Sequence, residues 1–152
     1  MKRGLLIFGF LLGNIFNSNA LSLEVIRNNY QVAVKDKDIC LSMIQQLKNN
    51  TESNVHLAYL GAFQTIWANH TFNPINKLST FNKGKENIDK AAKLSPNDVE
   101  IIFIRHSVQK NCPWFLGYHE NLAEDKNFLY EALNSISSPE LKSMVENLLL
   151  PD

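Results

Sequence analysis

Apolar residues recur along most of this chain at spacings of three and four, and no stretch alternates with period two for long enough to make a strand. Ser22 can cap a first helix whose stripe is Leu23, Ile26, Tyr30, Ala33 and Val34. The run Lys35, Asp36, Lys37, Asp38 predicts a turn with an acidic cap, and Ile39, Met43, Ile44 and Leu47 carry the next stripe until Asn49 and Asn50 end it. Thr51 or Ser53 then caps a longer helix on Val55, Tyr59, Ala62, Phe63 and Ile66, widened by Leu57, Leu60 and Trp67. Gly61, inside that helix, marks a close contact with another helix. Asn73 before Pro74 is an N-cap followed by proline at the first helical position, opening a fourth helix on Ile75, Leu78, Phe81, Ile88, Ala91, Ala92 and Leu94.

The most apolar run comes next. Val99, Ile101, Ile102, Phe103, Ile104 and Val108 cover nearly the whole circumference of a helix, as expected of a central element buried on several sides. Ser95 with Pro96, or Asn97 with Glu100 as a capping box, can start it, and Asn111 and Pro113 stop it. Asn121 with Glu124 offers a further capping box, for a helix on Leu122, Leu129, Ala132, Leu133 and Ile136. Ser138 and Pro139 start a last helix on Leu141, Met144, Val145, Leu148 and Leu149, closed by Pro151. The expectation is an all-α domain of about seven short helices in antiparallel pairs.

Ahead of these helices, Lys2 and Arg3 precede an apolar run from Leu5 to Phe16 and the small polar segment Asn17 to Ala20, the build of a secretory signal peptide. Cleavage is expected after Ala20, giving a signal peptide over 1–20, a single helical domain over 21–152, and a periplasmic or secreted location. The run falls short of the ~20 residues a spanning helix requires, and no cysteine near the junction can carry a lipid anchor, so no stable membrane anchor is expected after cleavage. Lys plus Arg and Asp plus Glu stand at 15 each, and removing Lys2 and Arg3 leaves 15 − 2 = 13 basic against 15 acidic side chains, a net charge of −2. No strong field therefore draws the chain to nucleic acid.

Gly84, Ile88, Ala91, Leu94 and Pro96, followed by Asn97 and Asp98, resemble the second helix of a tetratricopeptide repeat and its closing proline. The match covers one half-repeat. Leu60 and Gly61 resemble the repeat's first-helix signature but lie too far upstream, and Arg105 and His106 stand where the next repeat has small residues. The resemblance implies a degenerate tetratricopeptide-like stack or a compact helical bundle. The phrases LSPND, SVQKN and FLGY are similar to those of a type of small exported all-helical protein of Bacteroidetes. That likeness spans most of the chain and implies location and fold, but no chemistry.

Candidate chemistry is sparse. There is no GxSxG, SxxK or cysteine-protease signature, and Lys83, Gly84, Lys85 lies in a helical pattern without the strand that a phosphate loop needs. No catalytic residue and no cofactor is expected. His106, Cys112 and His119 lie near one another but fit no ligand spacing, so no metal is expected. Cys40 and Cys112 can pair in an oxidising compartment, or both can be small buried hydrophobes.

The most unusual segment is CPWFLGY, Cys112 to Tyr118, with Trp114, Phe115 and Tyr118 between two capped helices. These aromatics either fold back as a lid over the core, fixed by Arg105 and His106 as buried polar partners, or present a binding surface. The leading expectation is an interaction module offering a groove between helix pairs to a peptide or partner protein. The alternative is a small-molecule binder or hydrolase using a pocket near Arg105, His106 and the aromatic loop.

Overall fold

The computed structural model describes residues 21–50 and 53–151, so the expected signal peptide over 1–20 and Thr51 as a cap lie outside the described residues. Within them the fold is all-α. It comprises α1 (Leu23–Tyr30), α2 (Lys37–Lys48), α3 (Asn54–His70), α4 (Pro74–Leu94), α5 (Val99–Asn111), α6 (Leu122–Ala132) and α7 (Pro139–Leu149), with 3-10 turns at Val32–Val34, Trp114–Leu116 and Leu133–Ser135.

Local signals set most of the helix starts. The Ser22 hydroxyl accepts from Val25 N, the Asp36 carboxylate from Asp38 N and Ile39 N, and the Ser53 hydroxyl from His56 N. Asn73 caps α4 with Pro74 at its first position, and Ser138 caps α7 ahead of Pro139. Two starts differ from the sequence reading. Asp98, rather than Ser95 or Asn97, caps α5, accepting from Glu100 N and Ile101 N. Ser95 instead closes α4, and its hydroxyl accepts from Asn54 Nδ2 at 2.8 Å. Asn121 makes no side-chain cap for α6, because its Oδ1 accepts from Gln109 Nε2 across the helix pair while its backbone N–H donates to Gln109 Oε1.

The middle of the bundle is shared between α3, which packs on α1, α2, α4 and α5, and α5, which packs on α3, α4, α6 and α7. The α3 and α4 helices run antiparallel, since Gly61 meets Ile88 while Thr65 meets Gly84. A Cβ on Gly61 would lie 2.5 Å from the Gly84 carbonyl oxygen, and one on Gly84 would lie 2.5 Å from that of Gly61. Only two glycines facing each other let these backbones come so close. The pairing of α5 with α6 is also antiparallel, fixed by Arg105 with Asp125 and Gln109 with Asn121.

A buried ion pair joins the N-terminal half to the C-terminal half. Glu100, in the first turn of α5, is only 6% exposed, and it receives both guanidinium arms of Arg27 from α1 at 2.8 and 2.7 Å. Tyr59 of α3 donates to the same carboxylate at 2.8 Å, and Arg27 also donates to the Ser138 hydroxyl that caps α7. One carboxylate thus ties four helices together, satisfying the rule that a buried charge must be paired and hydrogen-bonded. Around this network Tyr30 sits edge-on to Tyr59, Phe63 and Phe103. Burial pushes the Tyr30 hydroxyl up to about 12.

Candidate binding cleft

The odd-numbered helices α1, α3, α5 and α7 contribute residues near their C-terminal ends to one open cleft of about 1210 Å³, which the first turns of α4 and the turn after α5 complete. Its walls are mostly apolar: Tyr30 and Val34 from the first helix and the turn after it, Ile66 and Ala68 from α3, and Leu78 and Phe81 from α4. Phe103 and Val108 from α5, Leu116 from the following turn, and Met144 and Leu148 from α7 extend that surface. The polar lining is of two kinds. Gln31, Asn69, Asn111 and Asn147 offer primary amides, each with donors and an acceptor, and Lys35, Lys77 and Lys110 offer ammonium groups. Among the described residues no carboxylate side chain lines it.

Several of these side chains are held in place. Tyr30 donates to the Ser107 hydroxyl at 3.2 Å inside the cleft, and Lys110 donates to the Leu148 carbonyl at 3.2 Å, bridging the ends of α5 and α7. Val34, Leu78 and Phe115 of the lining are exposed, and Phe72 and Ile75 stand exposed beside Leu78 in the chain. Exposed apolar surface rimmed by polar groups is a mark of contact with something else.

The aromatic loop only half follows the lid expectation. Tyr118 is buried, donates to Asp89 on α4 at 2.7 Å and packs edge-on against Phe81. The Lys85 ammonium lies 4.9 Å above its ring. Trp114 and Phe115, however, are 78% and 85% exposed, so for them the lid expectation is wrong. They lie on a 3-10 turn closed by Gly117 in the left-handed region at φ 63°, whereas Tyr118 turns inward against α4 and Leu116 packs partly buried on the core. Trp114 stacks on His119, with ring centroids 4.2 Å apart, and Phe115 lines the cleft.

Arg105 and His106 make no hydrogen bond to the loop and do not line the cleft. Arg105 grips Asp125 of α6 with two hydrogen bonds of 2.8 and 2.6 Å, and those bonds hold its guanidinium pKa above its ordinary value. His106 is buried on α5 with Nδ1 unpartnered, and desolvation lowers its pKa against the opposing pull of Asp125. The candidate disulfide is also absent. Cys40 is fully buried and donates to the Phe63 carbonyl at 3.3 Å, whereas Cys112 lies at the end of α5 on the cleft, and both are free thiols. Burial alone pushes the Cys40 thiol up to about 12.

Among the described residues no group of three or more His, Cys, Asp or Glu side chains is placed to hold a metal ion. His56, His70 and His119 instead donate through Nε2 to the carbonyls of Leu21, Ala33 and Cys112. Nor is any described helix long and apolar enough to cross a membrane.

No family model matches the chain, and no solved structure matches it. Among curated proteins, the argininosuccinate lyase of Lactococcus lactis subsp. cremoris (strain MG1363) is similar, at 26% identity over 132 residues covering 78% of this chain and 27% of the lyase. The chain therefore spans about a quarter of the length of the curated relative it matches.

Proposed function

We propose that this chain is an exported, non-catalytic interaction module, in which the apolar cleft at one end of the helical bundle receives a peptide segment of a partner protein. The observation that carries the reading is the cleft itself. At about 1210 Å³ it exceeds the ~300 to 1,000 Å³ usual for a small-molecule site, and it lies open between helix ends instead of closing over a ligand. Apolar walls suit side-chain anchors, and the amides of Gln31, Asn69 and Asn147 suit the backbone groups of a bound segment. The basic start and apolar run before Ala20 support export.

The alternative, a small-molecule binder or hydrolase built on Arg105 and His106, loses its main support because neither residue reaches the cleft and Arg105 is engaged with Asp125. The similarity to a lyase covers too little of that protein to carry a reaction to this chain.

A displayed random short-peptide library panned on the purified protein tests the reading. Recovered peptides should bind by calorimetry and lose at least about tenfold in affinity against Asn69→Trp and Phe115→Asp, which alter two exposed residues of the cleft. Peptides that bind these variants as well as the parent chain would place the interaction elsewhere and end the proposal.

A further inference from the structure

We propose that the cleft end of the bundle also docks reversibly on an anionic lipid surface, through apolar side chains on its turns. The two ends of the molecule differ. Where α1, α3, α5 and α7 end beside the cleft, the chain that follows carries exposed apolar residues: Val32 and Val34 after α1, Phe72 after α3, Trp114 and Phe115 after α5, and Leu150 after α7. At the opposite end it turns through Ser95, Pro96, Asn97 and Asp98 before α5, and through a serine-rich stretch before α7 in which Ile136 packs on the core. Turns in water are normally polar, so the apolar end is built for contact. A peptide in the cleft does not account for it, because Phe72, Ile75 and Trp114 lie outside the cleft lining.

The arrangement suits a bilayer better than a protein face. These residues sit on separate connections around an open cleft, whereas a stable protein contact covers a continuous surface of about 800 Å² per partner. Trp114 is 78% exposed yet held in place by its stack on His119, and tryptophan is favoured at the level of lipid headgroups. Charge points to anionic lipid. From Thr71 to Lys85 the chain has Lys77, Lys83 and Lys85 and no acidic residue. Leu78 borders the cleft together with Lys77 and also a shallow groove shared with Ile75 and Lys83, which Glu86 joins further along α4. Exposed Ile75 and Leu78 thus have an exposed lysine on either flank. Each lysine beside an anionic surface contributes about fivefold in partitioning, with the apolar tips supplying the rest.

Cosedimentation with vesicles tests this, using phosphatidylcholine alone and an equal mixture with phosphatidylglycerol. The chain without residues 1–20, which holds every described helix, is used because the apolar run from Leu5 to Phe16 would bind lipid by itself. It should bind the mixed vesicles about tenfold more strongly than phosphatidylcholine alone, and raising salt should shrink that difference. Phe72→Ser, Ile75→Ser and Trp114→Ser combined should lose at least about tenfold. Lys77→Gln with Lys83→Gln should lose about tenfold on the mixed vesicles only, and Leu94→Ser, exposed at the opposite end, should lose nothing. Phosphatidylcholine brominated on its acyl chains, placed in the mixture, should quench tryptophan emission, and most of that quenching should vanish in Trp114→Phe while binding persists. Failure to bind the mixed vesicles, equal binding to both kinds, indifference to the triple variant, or quenching retained in Trp114→Phe would each overturn the proposal. Concentration-dependent self-association abolished by the triple variant would also overturn it, by making the apolar end a contact between copies. Peptide capture by the cleft is measured without lipid and stands or falls separately.

Discussion

Gly61→Ala should destabilise the protein, although alanine is the better helix former. In an open helix the substitution would add up to about 1 kcal/mol of stability through propensity. Here the added methyl would sit 2.5 Å from the Gly84 carbonyl oxygen, 2.8 Å from Ile88 Cγ1 and 3.0 Å from Ile88 N. Two of those three atoms are backbone, so no rotamer change relieves the overlap. The α3 and α4 helices must move apart, and overpacking of this kind costs about 1–3 kcal/mol, toward the upper end where a whole helix pair shifts. The net loss is then about 1–2 kcal/mol, or ~2 to 8 °C in melting temperature for a chain of this length. Gly84→Ala should behave alike, because its methyl would meet Gly61 O at 2.5 Å and Thr65 N at 2.9 Å. The double variant should lose less than the two single losses added together, since one separation of the helices accommodates both methyls. Urea melts followed by circular dichroism measure all three. A Gly61→Ala protein as stable as the parent, or more so, would refute the close-contact argument.

In urea melts, Trp114→Ala and Phe115→Ala should each change the unfolding free energy by no more than ~0.5 kcal/mol, as surface substitutions do, whereas Tyr118→Ala should cost about 3–5 kcal/mol because that ring is buried and bonded to Asp89. Asp125→Ala leaves the Arg105 guanidinium without its bidentate partner. The loss should approach the lower end of the ~3 to 5 kcal/mol seen for broken buried pairs, because Arg105 keeps some access to water. His106 binds its proton less readily folded than unfolded, so its contribution is fully present above about pH 6.5 and is lost as pH falls from there through its lowered folded pKa. His106→Gln should therefore show a flatter decline of stability with acidification below pH 6.5 than the parent chain, and identical slopes in the two proteins would argue against a titrating His106.

The helices were legible because their signals are local. Ser22, Asp36, Asn73 and Ser138 each sit one residue before the segment they cap, and Gly61 stands out against an otherwise bulky stripe. Where two good caps competed, sequence alone did not arbitrate. Ser95, Asn97 and Asp98 are all capable of starting α5, and Ser95 is taken by the end of α4 and by Asn54, three-dimensional partners that leave no local trace. Glu100 illustrates the same limit. Its spacing from Asn97 suggested a capping box, but its partners are Arg27, 73 residues away, and Tyr59, 41 residues away. A carboxylate inside the most apolar helix was itself the available clue, since such a group demands a distant cation.

The site was hidden for a related reason. The aromatic loop drew attention because its chemistry is concentrated in one short stretch, yet a sequence does not show which side of a turn each ring takes. Tyr118 had a polar partner on α4 to reach, and Trp114 and Phe115 did not. The cleft, by contrast, takes its lining from helix ends and turns scattered between Tyr30 and Leu148. Lys35, Lys77 and Lys110 look like ordinary solvated charges in their own segments, and each has acidic residues elsewhere in the chain to balance it. Only the packing of α3 against α4 and α5 brings them to one mostly apolar surface. The Gly61 and Gly84 contact therefore bears on function as well as stability. By setting the spacing of α3 and α4, it sets how far Ile66 and Asn69 stand from Lys77 and Phe81, and a separation there would widen the cleft on the side where Leu78 meets solvent.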